Sequence, residues 1–290
     1  MTIDHSIKSL LLEIQETAII IAEAVFQEIE IGMTEKDAAH LLTLKAKEYG
    51  VEKYFHHPFA WFGDRTMFKD FTQPLPILSK STWKTLKWPN GHNKLPHFGK
   101  EFMPSERKLT HNTAVILDLA PMKNHVFADI GYSNYFGKNA DHDLMMVFLK
   151  KLKDSIPEII SQEKSIDKIY HSIDDMIKDN GFINCHQKYP LGVLGHKVGH
   201  YPKIPFPTSK INLMGFSPEA FIFLLEKNIS APFYYTKHTP YLAGHINQNI
   251  SDGYWAIEPH IGINNMGAKF EEILVIDSEN EKDVYWLSSN

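Results

Sequence analysis

Between Thr113 and Ile130 the chain reads TAVILDLAPMKNHVFADI, two short apolar strands joined by a polar turn, with one carboxylate inside each strand. Asp118 stands between Leu117 and Leu119, and Asp129 between Ala128 and Ile130. Burying a charge in such surroundings is costly unless a partner compensates it. With Lys123 and Asn124 as a two-residue turn, antiparallel pairing places Asp118 directly opposite Asp129, with Cβ atoms ~5 Å apart. Two carboxylates that close either share a proton or hold a cation between them. A single acidic residue in a strand ordinarily points to solvent, so the choice needs a second observation.

The end of the chain supplies it. GYWAIEPHIGINNMGAKFEEILVID is again two apolar strands around a polar turn. Asn264-Asn265 is a favoured pair for a two-residue hairpin because Asn tolerates positive φ. That turn sets Glu258 opposite Glu271. Four carboxylates converging in one interior cannot be sustained by shared protons near neutral pH, whereas divalent cations neutralise and orient them. Oxygen donors with one imidazole suit Mn, Co, Fe(II) or Zn. Two such ions ~3.5–4 Å apart form a hydrolytic centre. His196, in Gly195-His-Lys-Val-Gly199, is the histidine placed to supply the imidazole, although a lone histidine is more often structural.

The bulk numbers fit a globular chain. Its 290 residues approach the upper limit of one large core. Net charge is −5, which offers no general attraction to nucleic acid or to an anionic membrane. The single cysteine, Cys185, allows no internal disulfide and fits a reducing compartment. No apolar run is long enough to span a bilayer, and Glu13, Glu16 and Glu23 interrupt the N-terminal stretch in a way a signal peptide would not. A cytoplasmic location is the expectation.

Helical spacing of Leu10, Leu11, Ile14, Ala18, Ile21, Ala22 and Val25 predicts a first helix ending before Gly32. Thr34 with Asp37 forms a capping box for a second helix, which Gly50 terminates. FHHPFAWFGDRTMF reads as a strand with its turn. Residues 69–96 hold four prolines and two tryptophans, Trp83 and Trp88, and read as a long irregular loop. Helices follow at Asp141–Lys153 and Ser165–Asn180, and a helix or mixed apolar segment at Phe216–Lys227.

The set Asp118-x10-Asp129, Gly195-His196-x-x-Gly199, Ile257-Glu258-Pro259 and Phe270-Glu271 resembles the metallopeptidases of the pita-bread fold: methionine aminopeptidase, aminopeptidase P, prolidase and creatinase. All five ligand positions agree in order and spacing. The resemblance implies an α+β fold, with a curved antiparallel sheet in pseudo-twofold halves covered by helices, as a single catalytic domain over residues 1–290. It leaves no length for an N-terminal domain of creatinase type. It implies two divalent metal ions, with Asp118 and Glu271 bridging, Asp129 chelating one ion and His196 with Glu258 completing the other. Glu258 would also move the proton from nucleophile to leaving amine. LPHFGKEFMPSERKLT resembles the family segment carrying a substrate histidine, which nominates His97.

Some residues depart from the family pattern. Lys197 replaces the usual glycine after the metal histidine, and Lys203 stands where a second histidine is expected. His245, or else His238, would take that role; His200 matches no ligand position and reads as a residue behind the ligands or as structural. The segments around the first aspartate look closer to aminopeptidase P and prolidase than to methionine aminopeptidase. The expected function is a metallo-aminopeptidase of Xaa-Pro type acting on a peptide or small dipeptide, with a homodimer compatible. The alternatives are a methionine aminopeptidase, a creatinase-like non-peptidase hydrolase, and a non-catalytic binding module.

Overall fold

The computed structural model describes residues 3–68, 102–189, 192–200, 240–279 and 283–289. Trp83, Trp88, His97, Lys203, His238 and the segment Phe216–Lys227 therefore lie outside the described residues.

Helix α1 (Lys8–Glu28) buries Leu11, Ile14, Ala18, Ile21, Ala22 and Val25 along one stripe, as three-and-four spacing requires. The chain reverses at Gly32, where φ is +93°, a conformation open to glycine without strain. Helix α2 (Glu35–Glu48) starts from the predicted capping box. The Thr34 hydroxyl accepts from the Asp37 N–H at 3.1 Å, and the Asp37 carboxylate accepts from the Thr34 N–H at 2.8 Å. Buried Glu35 then ties this helix to the strand beside the site, accepting from the Phe62 and Ser105 N–H groups and pairing with Arg65 at 2.9 Å.

The strands follow as β1 (Lys53–Tyr54), β2 (Phe59–Phe62), β3 (Thr113–Leu119), β4 (Pro121–Lys123), β5 (Val126–Phe127) and β6 (Ile130–Phe136). After helices α3 (Ala140–Gln162) and α4 (Ile166–Asp179) come β7 (Ile183–Asn184), β8 (Val193–His200), β9 (Tyr241–Ala243) and β10 (Gly253–Ile257). The last four are β11 (His260–Ile263), β12 (Met266–Lys269), β13 (Glu272–Ile276) and β14 (Val284–Trp286). Among the described residues they form an eight-stranded sheet, β1-β4-β5-β8-β10-β13-β14 with β9 on β8, and two three-stranded sheets, β12-β11-β7 and β2-β3-β6.

Each long hairpin is thus divided between two sheets. β3 and β6 lie in one, and their continuations β4 and β5 in another; β10 and β13 part from β11 and β12 in the same way. The changeovers fall at residues 120, 128–129, 258–259 and 270–271. Asp129, Glu258 and Glu271 occupy these breaks, and Asp118 sits one residue inside the end of β3. The two hairpins meet where Gly131 and Glu271 exchange backbone hydrogen bonds of 3.4 and 3.1 Å.

Packing repeats the division. α1 and α2 cover the β2-β3-β6 sheet through Ala60, Phe62, Val115, Leu117 and Leu119. α3 and α4 cover the second hairpin through Trp255, Ile257, Ile261, Leu274 and Ile276. Along β10 and β13 the alternate residues Tyr254, Ala256, Ile273 and Val275 face the opposite cluster beneath the start of α1. With both faces buried, these strands read as nearly continuous apolar runs. No helix among the described residues is long and apolar enough to cross a membrane.

The first hairpin corrects the expected register. The turn is Asn124-His125, with φ of +51° and +61°, rather than Lys123-Asn124. A tight hairpin turn of this kind needs two residues at positive φ, and the Asn-His pair supplies them at less strain than Lys would. Asp118 consequently faces Gly131, not Asp129. The shift is by two residues, so both aspartates keep the same face. In the second hairpin Asn264 and Asn265 make the expected turn, at φ of +48° and +65°. Ile263 pairs with Met266 and Ile257 with Glu272, so the ladders on either side of the break keep the register that sets Glu258 against Glu271.

Candidate metal centre

The break in each hairpin turns its carboxylates into the space between the sheets. Asp118, Asp129, Glu258 and Glu271 are all less than a tenth exposed. β8 brings His196 beside them, since its ladder pairs His196 with Ala256, two residues before Glu258. Gly195 permits that approach: a Cβ there would stand 2.5 Å from the Ala256 carbonyl oxygen.

Two groups of donors result. One is Asp129, His196 and Glu271, and the other is His56, Asp118 and Asp129, with the donor atoms of each group within 4.8 Å of one another. His196 Nε2 lies 3.5 Å from Asp129 Oδ2 and 3.8 Å from Glu271 Oε1. His56 Nε2 lies 3.1 Å from Asp129 Oδ1 and 3.3 Å from Asp118 Oδ1. Asp129 is the carboxylate common to both groups, where the resemblance would give the shared role to Asp118.

A buried cation reaches the same cluster from β12. Lys269 Nζ donates to Asp118 Oδ2 at 2.7 Å and to Glu258 Oε2 at 3.2 Å, and pairs with Glu271 Oε2 at 2.8 Å. Its stem crosses Gly131, the residue opposite Asp118. A Cβ on Gly131 would lie 2.1 Å from Lys269 Cε. The Tyr189 ring lies 5.3 Å from the ammonium, and the Tyr189 hydroxyl is 3.1 Å from His260 Nδ1. His260 Nε2 faces the Thr66 carbonyl at 2.5 Å, so it carries the proton and Nδ1 accepts from Tyr189.

Without a metal ion, burial and charge pull the ionisable groups apart. Burial raises Glu271 well above the ordinary carboxyl range, and neighbouring Asp129 and Glu258 add to it. Burial likewise raises Glu258. For Asp129 burial acts upward, but His56 and His196 outweigh it and hold the carboxyl low. Burial disfavours the charged form of His56, yet Asp129 and Asp118 push its pKa up to about 9. Burial also opposes the Lys269 ammonium, and Asp118 and Glu271 reverse that to keep it charged.

A divalent ion fits these residues. Lys269 and two protonated imidazoles would still leave the four carboxylates in excess, and the raised Glu258 and Glu271 mark protons that a cation would displace. The donors are oxygen and imidazole; Cys185 is buried elsewhere, within contact of the Ile183 carbonyl, which favours hard or borderline ions.

The sequence reading missed His56 and Lys269. Lys269 had a signal: a lysine in an apolar strand, two residues before Glu271, shares that residue's face. His56 lies in the link between β1 and β2, far from any motif. Of the remaining candidates, Glu258 contacts Lys269 but belongs to neither donor group. His245 lies in the exposed turn after β9, outside both groups. His200 is exposed and pairs with Asp4 at 3.2 Å, in keeping with a structural role.

A family model, metallopeptidase family M24, matches residues 10–278 of the chain. The chain belongs to metallopeptidase family M24. Solved structures agree in fold with this M24 chain. An X-Pro aminopeptidase from Thermotoga maritima superposes with a TM-score of 0.61 at 14% identity, covering 100% of this chain and 62% of its own. A prolidase from Pyrococcus furiosus gives 0.61 at 16% identity, covering 100% and 65%. A Xaa-Pro dipeptidase from Bacillus anthracis gives 0.59 at 15% identity, covering 100% and 62%. The M24 chain therefore spans less than two thirds of the length of these structures, and shares their α+β pita-bread fold. No protein of curated function matches it by sequence.

Proposed function

We propose that this M24 chain is a dinuclear-metal aminopeptidase that removes an N-terminal residue from peptides at Xaa-Pro bonds. The observation that carries the proposal is the pair of donor groups sharing Asp129 at the breaks of two hairpins. Asp118, Asp129, His196, Glu258 and Glu271 would hold the ions, whose Lewis acidity and effect on the pKa of water are the chemistry peptide hydrolysis needs. Glu258, raised by burial, is suited to take a proton and pass it to the leaving amine. Lys269 holds one oxygen of Glu258 and so fixes the carboxyl plane for that exchange. His97 keeps the part of a substrate contact on the strength of the sequence resemblance alone.

The Xaa-Pro assignment draws on the resemblance to aminopeptidase P and prolidase and on the names of the structural neighbours. A peptide panel with the metal-loaded protein tests it. Cleavage of Xaa-Pro dipeptides or tripeptides, abolished by chelation and restored by Mn²⁺ or Co²⁺, is the expected result. Release of Met from Met-Ala peptides with none from Xaa-Pro peptides would assign a methionine aminopeptidase instead. Activity on a small C–N substrate that survives chelation would assign creatinase-like chemistry.

A further inference from the structure

We propose that His56 is a metal ligand, holding the second ion together with Asp118 and Asp129, so that each ion of the pair has one imidazole. The inference rests on the metal-centre reading above and adds to it a residue from outside the five-ligand set.

Four observations carry it. First, His56 and His196 are held in the same way. Each ring places Nδ1 against the carbonyl oxygen of the following residue, His57 at 2.9 Å and Lys197 at 3.1 Å. A carbonyl only accepts, so Nδ1 carries the proton in both rings and Nε2 is turned to the cluster. Fixing one ring nitrogen through a carbonyl is the usual way a protein orients a ligating histidine.

Second, the two imidazoles flank one carboxylate. His56 Nε2 is nearest Asp129 Oδ1 and His196 Nε2 faces Asp129 Oδ2. If His196 serves one ion across Asp129, His56 occupies the equivalent place for the other.

Third, the oxygens are already divided. Lys269 takes Oδ2 of Asp118 and Oε2 of Glu271, which leaves Asp118 Oδ1 to face His56 and Glu271 Oε1 to face His196. His56 Nε2, Asp118 Oδ1 and Asp129 Oδ1 thus converge on one point, where a bound cation would meet all three donors.

Fourth, the ring is fixed in place. His56 is 6% exposed and stacks on Phe59 with centroids 4.8 Å apart. Phe59, on β2, is the ladder partner of Asp118 on β3, so the residue that the histidine stacks on is held directly beside the aspartate.

A second imidazole has a chemical consequence. It shifts preference from Mn toward the borderline ions Zn, Co and Fe, because nitrogen donors favour them over an all-carboxylate position.

The test titrates metal-free protein with Co²⁺, following heat and visible absorption, for wild type, His56→Gln and His57→Gln. His57 is exposed and serves as the control, since its side chain can change while its carbonyl stays. Wild type and His57→Gln should each bind about two equivalents. His56→Gln should keep the first and bind the second at least about 10-fold more weakly, with a changed absorption band. Zinc-edge X-ray absorption on the loaded wild type, which needs no variant, should count about one imidazole per ion rather than half of one. Unchanged second-site affinity and spectrum in a folded His56→Gln, or half an imidazole per zinc, would overturn the inference while leaving the metal centre intact. A wild type that binds no divalent ion would overturn the metal-centre reading and this inference with it.

Discussion

Lys269→Met isolates what a buried ammonium does inside a carboxylate cluster. Methionine nearly matches the stem in length and shape, so the change removes charge with little loss of packing. In the metal-free protein, Asp118, Glu258 and Glu271 each lose a contact of 2.7 to 3.2 Å with Lys269 Nζ. Leaving buried charge uncompensated costs about 3–5 kcal/mol. With 290 residues and roughly 2 cal/mol/K of unfolding entropy per residue, each kcal/mol moves Tm by ~1.6 °C. The metal-free variant should therefore melt roughly 5–8 °C below wild type. Divalent ions replace the missing positive charge, so loading should raise the variant's Tm by more than it raises that of wild type. Scanning calorimetry with and without Mn²⁺ reads both numbers. A metal-free variant as stable as wild type, or an equal metal-induced shift in both proteins, would refute the electrostatic account of Lys269.

Other predictions follow from particular contacts. Gly131→Ala puts a methyl 2.1 Å from Lys269 Cε; it should displace the lysine and destabilise by about 1–3 kcal/mol, while an equally distant surface Gly→Ala should not, as denaturant melts would show. Asp118→Ala should weaken metal binding and abolish hydrolysis while the circular dichroism spectrum stays close to wild type. His186 is fully buried with neither ring nitrogen hydrogen-bonded among the described residues, and burial lowers its pKa to about 3. The folded ring stays neutral while the unfolded chain takes up a proton below about pH 6.5, so its contribution is fully present above that pH and is lost as pH falls toward 3. Between pH 6 and 5 stability should drop by ~1 kcal/mol from this group, and His186→Phe should flatten the slope.

How far the sequence reached depended on whether a feature was local. Thr34 and Asp37 cap a helix from three residues apart, and Asn264-Asn265 sets a register by its own backbone preference, so both were legible. The first hairpin offered Lys123, Asn124 and His125 as candidates for a two-residue turn, and the pattern of apolar residues cannot tell a shift by two from the true register. The aspartates were right in face and wrong in partner for that reason. Helix α3 runs on to Gln162 through Pro157, beyond the expected end at Lys153. Ile156 and Ile160 keep the buried stripe in phase and offset the lost hydrogen bond.

The two omissions at the site arise from distance along the chain. Lys269 meets Asp118 across 151 residues and His56 meets Asp129 across 73, and no periodicity connects such positions. The five motif positions could be nominated from sequence because each lies within a recurrent local pattern. The placing of Asp129, Glu258 and Glu271 at the sheet breaks, with Asp118 next to one and His196 carried alongside on β8, emerges only when the hairpins are seen to cross between sheets.

The central claim is that this cluster is a metal centre organised about Asp129. Equilibrium dialysis of metal-free protein against Mn²⁺ or Zn²⁺, followed by elemental analysis, tests it most directly when wild type and Asp129→Asn are run together. Because Asp129 belongs to both donor groups, the account predicts about two ions per wild-type chain and weakened binding of both in the variant. A wild type without stoichiometric metal, or a folded Asp129→Asn that binds both ions as tightly as wild type, would contradict it.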